Sequence, residues 1–199
     1  MRTPSVKGSL MLGAVVTARR LRDRGRVPAE ALEARLSKQA LELVDQKIEI
    51  SRWYPISAFC ELIELDWDVS GARMTAYLER QGAVTADRLF DAGIYQQLEF
   101  AERSGKVQSR DSLIRQSKLI TTITGTLYDF LTFEVQLRDD ALEIVYGNSA
   151  AFGEPLIHTT VGFMNQINVR QGSKRRWTGR REAADRCVFT MSLPERFSA

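Results

Sequence analysis

The sequence predicts an α+β fold: an N-terminal helical layer followed by an antiparallel sheet of two hairpins flanking a helix. Three observations carry that prediction. Apolar residues recur at helical spacing through the front half of the chain, and the period shortens toward alternation after Gly125. The chain then closes on a helical run, Val161-Gly162-Phe163-Met164, followed past Arg175-Arg176-Trp177 by a two-stranded ribbon around Asp185-Arg186-Cys187-Val188-Phe189.

Leu10, Leu12, Val15, Val16 and Leu21 predict a first amphipathic helix, stopped at Asp23-Arg24-Gly25, and Pro28 opens a second through Leu32 and Leu36. Ala40, Leu41, Val44 and Ile48 predict a third. Tyr54-Pro55 breaks it, and Pro55 suits the first turn of the next helix, which carries Ile56, Phe59, Leu62, Ile63 and Leu65. After a turn at Ser70-Gly71, a long helix holds Met74, Tyr77, Leu78, Gln81, Thr85, Leu89 and Phe90 and continues beyond Gly93 through Ile94, Tyr95, Leu98 and Phe100. Ser109 and Asp111 cap a helix with Leu113, Ile114 and Ile120. From Gly125 onward Leu127, Phe130, Thr132 or Phe133, Val135 and Leu137 lean toward alternation, Arg138-Asp139-Asp140 turns the chain, and Leu142, Ile144 and Tyr146 alternate cleanly, which predicts a hairpin. Pro155 starts a helix through Leu156, Val161, Met164, Ile167 and Val169, stopped by Gln171-Gly172. The closing hairpin runs from Arg175 to Glu182 and from Arg186 to Leu193, with Cys187, Phe189 and Met191 on one face and Val188 and Thr190 on the other.

The 199 residues, 44% hydrophobic and 27% charged, suit one domain over 1–199 with a full apolar core. A net charge of +3 is too mild to argue for nucleic acid by itself. Cys60 and Cys187 lie far apart with no cysteine or histidine at ligand spacing, so there is no zinc pattern, and they read as two reduced, buried thiols. The apolar stretch from Leu10 to Val16 runs straight into Arg19, Arg20 and Arg22, too short for a membrane span and without a secretory cleavage site. The expected location is the cytoplasm.

Lys7-Gly8-Ser9-Leu10, then Ser51-Arg52-Trp53-Tyr54-Pro55 at a helix start, Gly82 in a long helix, the late Gly162-Phe163 and Cys187-Val188-Phe189 form an ordered set. In that order the chain is similar to an uncharacterised paralogous family abundant in myxobacteria. That family resembles the 4-vinyl reductase domain, whose fold is shared with TRAPP vesicle-tethering subunits and haem-based nitric-oxide sensors. The resemblance implies a fold of that type, ligand binding or protein contact, and a homodimer paired through helices. It also exposes two departures. The place comparable to a further cysteine of 4-vinyl reductase domains holds Trp177, leaving Cys187 alone, and the single histidine, His158, does not correspond to the proximal ligand of the haem sensors. His158, beside Thr159 and Thr160, reads as a surface or hydrogen-bonded structural residue, and neither metal nor cofactor is predicted.

Catalysis finds no support in the residues. Every triad would run through His158, which has no nucleophile-elbow motif nearby. Glu61 with Glu64, and Asp66 with Asp68, sit near helix ends where solvated carboxylates are expected, and Gly147-Asn148-Ser149 lacks a phosphate-cradling lysine. The expectation is a non-enzymatic regulatory or scaffold domain that dimerises and binds a small apolar ligand or a protein partner. Trp53, Tyr54, Phe59, Tyr95 and Phe163 are the candidate pocket residues, large rings that suit a mostly apolar cavity but equally fill ordinary cores. The alternative is nucleic-acid binding through Arg170, Lys174, Arg175, Arg176, Arg180 and Arg181 with Trp177 interleaved, although Glu182 and Asp185 follow at once and a basic edge strand also discourages sheet-to-sheet pairing.

Overall fold

A computed structural model describes residues 3–91, 93, 110–138 and 140–193. In chain order the elements are β1 (Ser5–Lys7), α1 (Gly8–Asp23), α2 (Ala29–Arg35), α3 (Lys38–Asp45), β2 (Trp53–Pro55), α4 (Ile56–Val69), α5 (Thr75–Asp91), α6 (Arg110–Leu127), β3 (Thr132–Leu137), β4 (Ala141–Gly147), a 3-10 turn (Ser149–Ala151), α7 (Glu154–Arg170), β5 (Trp177–Ala183) and β6 (Arg186–Ser192). The α+β class and the order of helical layer, hairpin, helix and hairpin are as predicted. Tyr95 and the rest of the predicted continuation from Ile94 to Phe100 lie outside the described residues, as do Ser109 and Asp139.

Periodicity gave no sign of the small sheet formed by β1 and β2. The two strands pair antiparallel, Ser5 with Pro55, Val6 with Tyr54 and Lys7 with Trp53, and each runs directly into a helix. Pro55 therefore ends a strand and stands just before α4 instead of inside its first turn. Three residues are too few to establish a period of two, which is why the pairing escapes a sequence reading. Ile48 likewise lies beyond α3, which ends at Asp45, yet it still joins the core.

Leu127 and Phe130 are the other displaced pair: α6 runs through Leu127, and the strand begins only at Thr132. The β-branched residues that suggest a strand are tolerated in the helix. The hydroxyls of Thr121, Thr122, Thr124 and Thr126 donate back to carbonyls three or four residues earlier, so threonine satisfies itself there.

The large sheet has the order β3-β4-β6-β5, antiparallel throughout, with Ile144 opposite Phe189 and Tyr146 opposite Cys187. Cys187, Phe189 and Met191 are buried on one face as expected; Val188 is buried too. Helix α7 covers the sheet and is pinned to β5 through Asn165, which accepts from the Trp177 amide at 2.7 Å and donates to the Trp177 carbonyl at 3.2 Å. Helix α5 crosses α7 where two glycines meet backbone. A methyl group on Gly82 would lie 1.9 Å from the Thr159 carbonyl oxygen, and one on Gly162 would lie 1.9 Å from that of Glu79. Only residues without a side chain allow this approach.

Candidate functional site: a cavity between α1, α4, α5 and α7

The close crossing of α5 on α7 leaves a space on the side facing α1. Helix α1 lines it with Leu10, Gly13, Ala14, Thr17 and Arg20, a stripe at helical spacing, and α5 answers with Leu78, Gln81, Gly82, Thr85, Arg88 and Leu89. Phe59, Leu62, Ile63 and Asp66 come from α4, Leu156, Thr159, Thr160 and Phe163 from α7, Thr124, Leu127 and Tyr128 from the end of α6 and its exit, and Tyr146 from β4. The cavity measures about 240 Å³. Engineered apolar cavities of about 150 Å³ hold benzene, so this one has room for a small organic molecule.

Polar atoms inside it are unusually placed. Tyr146 is fully buried and its hydroxyl makes no hydrogen bond of ordinary geometry with a described residue; the Thr124 hydroxyl, whose own proton goes to the Ile120 carbonyl, is the polar side chain that interacts with it. Burial raises both the Tyr146 and the Tyr128 phenol well above the ordinary tyrosine value, so both are neutral. Asp66 accepts from the Tyr77 hydroxyl at 2.8 Å through Oδ2, while its Oδ1 is buried without a partner. Burial, then the Asp66 carboxylate, pushes the Tyr77 hydroxyl up to about 12.

Of the five candidate aromatics, the structure brings Phe59 and Phe163 together on the cavity wall. Tyr54 is buried in β2, its hydroxyl accepting from the Glu49 amide at 2.9 Å, and Trp53 carries the Lys7 ammonium 4.4 Å from its ring centre. Neither belongs to the cavity lining. Tyr128, Tyr146, Arg20 and Arg88 do, and the pocket reading of the sequence omits them. Alternation in β4 does place Tyr146 on the core face, but nothing local says that it lines a cavity.

The six cations of the basic segment are spread over different duties. Arg170 pairs with Asp87 at 2.8 Å and Asp91 at 3.3 Å, and hydrogen bonding from Gln166, then from Arg170, holds Asp87 below its usual carboxylate value. Arg180 pairs with Glu182, and Arg181 donates to the carbonyls of Ser149, Phe152 and Ala184. Arg175 is half-buried; Lys174 and Arg176 are exposed. Trp177 is 2% exposed, so its ring is not offered to a base.

Two solved structures share this fold over nearly the whole chain. The crystal structure of the Fe(II) unliganded H-NOX protein from K. algicida aligns with a TM-score of 0.52 at 16% identity, and that of a point mutant of the same protein with 0.58 at 14%; both alignments cover 94% of this chain and 97% of the other. No family model matches the sequence, and no curated protein matches it. The likeness fits the haem-sensor branch of the resemblance drawn from sequence and does not extend to its 4-vinyl reductase, vesicle-tethering or myxobacterial parts.

A haem is what this fold family implies, and the residues here do not fit it. The only histidine of the chain, His158, is absent from the cavity wall; its ring stands 6.5 Å from that of Trp67, and its Nε2 lies 3.7 Å from Glu154. The described wall contains no imidazole, thiol or thioether, and its two phenols are held neutral. Among the described residues there is also no group of three metal-ligating side chains and no helix long and apolar enough to cross a membrane. The chain thus has an H-NOX-like α+β fold around a cavity whose described wall lacks the axial ligand chemistry of a haem site.

Proposed function

We propose that the chain is a single, non-catalytic regulatory domain, paired with a second copy of itself, that holds a small and mostly apolar ligand in the cavity between α1, α4, α5 and α7. The observation that carries this reading is Tyr146, a fully buried residue of the cavity wall whose hydroxyl has only the Thr124 side chain beside it and makes no hydrogen bond of ordinary geometry with a described residue, since an unsatisfied buried donor costs about 1–3 kcal/mol. The fold likeness supports a ligand-sensing role, and the described residues of the wall include neither a nucleophile-base pair nor a group of metal ligands. Pairing through helices rests on the family resemblance alone. Nucleic-acid binding has less behind it, because Arg170, Arg180 and Arg181 are engaged within the chain.

Native mass spectrometry of the purified protein, set against its denatured mass and an organic extract, tests the proposal. The expected result is a dimer carrying one small molecule per chain, and the loss of that molecule in a Gly13→Leu variant, whose new side chain points where no heavy atom lies within 4 Å of the first carbon. An empty chain would remove the ligand reading, and a monomer would remove the pairing. A stoichiometric haem Soret band would overturn the non-haem assignment.

A further inference from the structure

The charge on the cavity wall narrows the class of ligand, provided that the cavity is a ligand site. We infer that the ligand is a compact aromatic acid, its ring held among the aromatic residues near Tyr146 and its single carboxylate met by Arg20 and Arg88. Among the described residues three charged ones line the cavity, two guanidinium groups and the Asp66 carboxylate, which leaves the described wall net positive. Neighbouring arginines are committed elsewhere, Arg19 to the carbonyls of Val44 and Gln46, Arg22 to Asp45 and Arg26 to the carbonyl of Val69. No described residue pairs with Arg20 or Arg88. Both are exposed while Tyr146 is fully buried, so cationic donors stand at the open side and the phenol at depth.

Size and shape agree with that polarity. A volume of about 240 Å³ exceeds the benzene-holding 150 Å³ by enough for a ring with a short acid arm, on the order of ten to twelve non-hydrogen atoms. Phe59, Tyr128, Tyr146 and Phe163 supply ring edges and faces, and Tyr146 already stands edge-on to Phe133 and Phe152. Guanidinium groups suit a carboxylate because they can donate two parallel hydrogen bonds to it. The Tyr146 hydroxyl would meet a polar ring substituent or the π-face.

Calorimetric titration of the full chain, stripped of bound material, with 3-phenylpropionate and with its uncharged counterpart 3-phenylpropanol tests this. The acid is expected to bind about tenfold more tightly than the alcohol, the difference shrinking as salt is raised. Arg20→Gln and Arg88→Gln, at exposed positions that no described residue depends on, should each weaken the acid about fivefold and leave the alcohol unchanged. Asp66→Asn removes the opposing charge and should tighten the acid. Equal binding of acid and alcohol, or acid binding indifferent to both arginine variants, would overturn the inference while leaving the cavity reading intact. If neither probe binds, the inference falls, and the native mass measurement decides the cavity reading on its own.

Discussion

Arg181 shows how one side chain can hold a junction. Its guanidinium donates to the carbonyls of Ser149 in the 3-10 turn and Phe152 just after it, and to that of Ala184 in the β5–β6 turn, tying two loops that are remote in sequence. Arg181→Ala should cost about 1–2 kcal/mol in urea denaturation, whereas Arg176→Ala, on an exposed residue, should cost less than about 0.5 kcal/mol. Cys60 gives a second prediction. Burial raises its thiol from 9.0 to about 11, so the folded state keeps a proton that the unfolded state releases, and its contribution is whole below pH 9.0 and lost between there and about pH 11. The denaturation midpoint should therefore decline above pH 9.0, and less steeply in Cys60→Ala. At this scale the sequence was partly legible. Phe59 and Phe163 could be picked as pocket rings from chemistry alone, but Trp53 and Tyr54 looked no different, and only the β1–β2 pairing directs them elsewhere. The six clustered cations likewise suggested one surface until Asp87, Glu182 and the turn carbonyls claimed three of them.

Among the elements, the crossing of α5 and α7 decides the most. Because Gly82 and Gly162 each face a carbonyl across the contact, Gly82→Ala or Gly162→Ala must push the helices apart, at a cost of about 3 kcal/mol. Gly13→Ala in α1 meets open space and should instead stabilise by about 0.5–1 kcal/mol through helix propensity. Thermal or urea denaturation of the three variants separates the cases by sign. Helix periods, the Pro155 start and both main hairpins were readable because each is local and several residues long. The small sheet and the end of α6 were not: one is a pairing between segments about fifty residues apart, and in the other, threonine hydroxyls bond within the helix. Gly82 and Gly162 were visible as residues, but nothing local reveals that they meet each other's helices.

For the molecule as a whole, these joints group the elements by how closely they are held. The glycine contacts fix α5 to α7 and Asn165 fixes α7 to β5, while α1 faces α5 across the cavity and continues from the β1–β2 sheet. Spin labels at the exposed positions Val84 in α5 and Val169 in α7 should keep their separation when a ligand enters, and labels at Val16 in α1 and Val84 should change theirs. Equal changes in both distances would mean that the crossing yields.

The same crossing has a mechanical side. A spring between α5 and α7 would absorb a push from the cavity, but backbone lying against backbone has no slack to compress. If the cavity holds a ligand as proposed, a displacement of α5 would pass through α7 and Asn165 to β5, the edge strand of the sheet, where Arg180 is exposed.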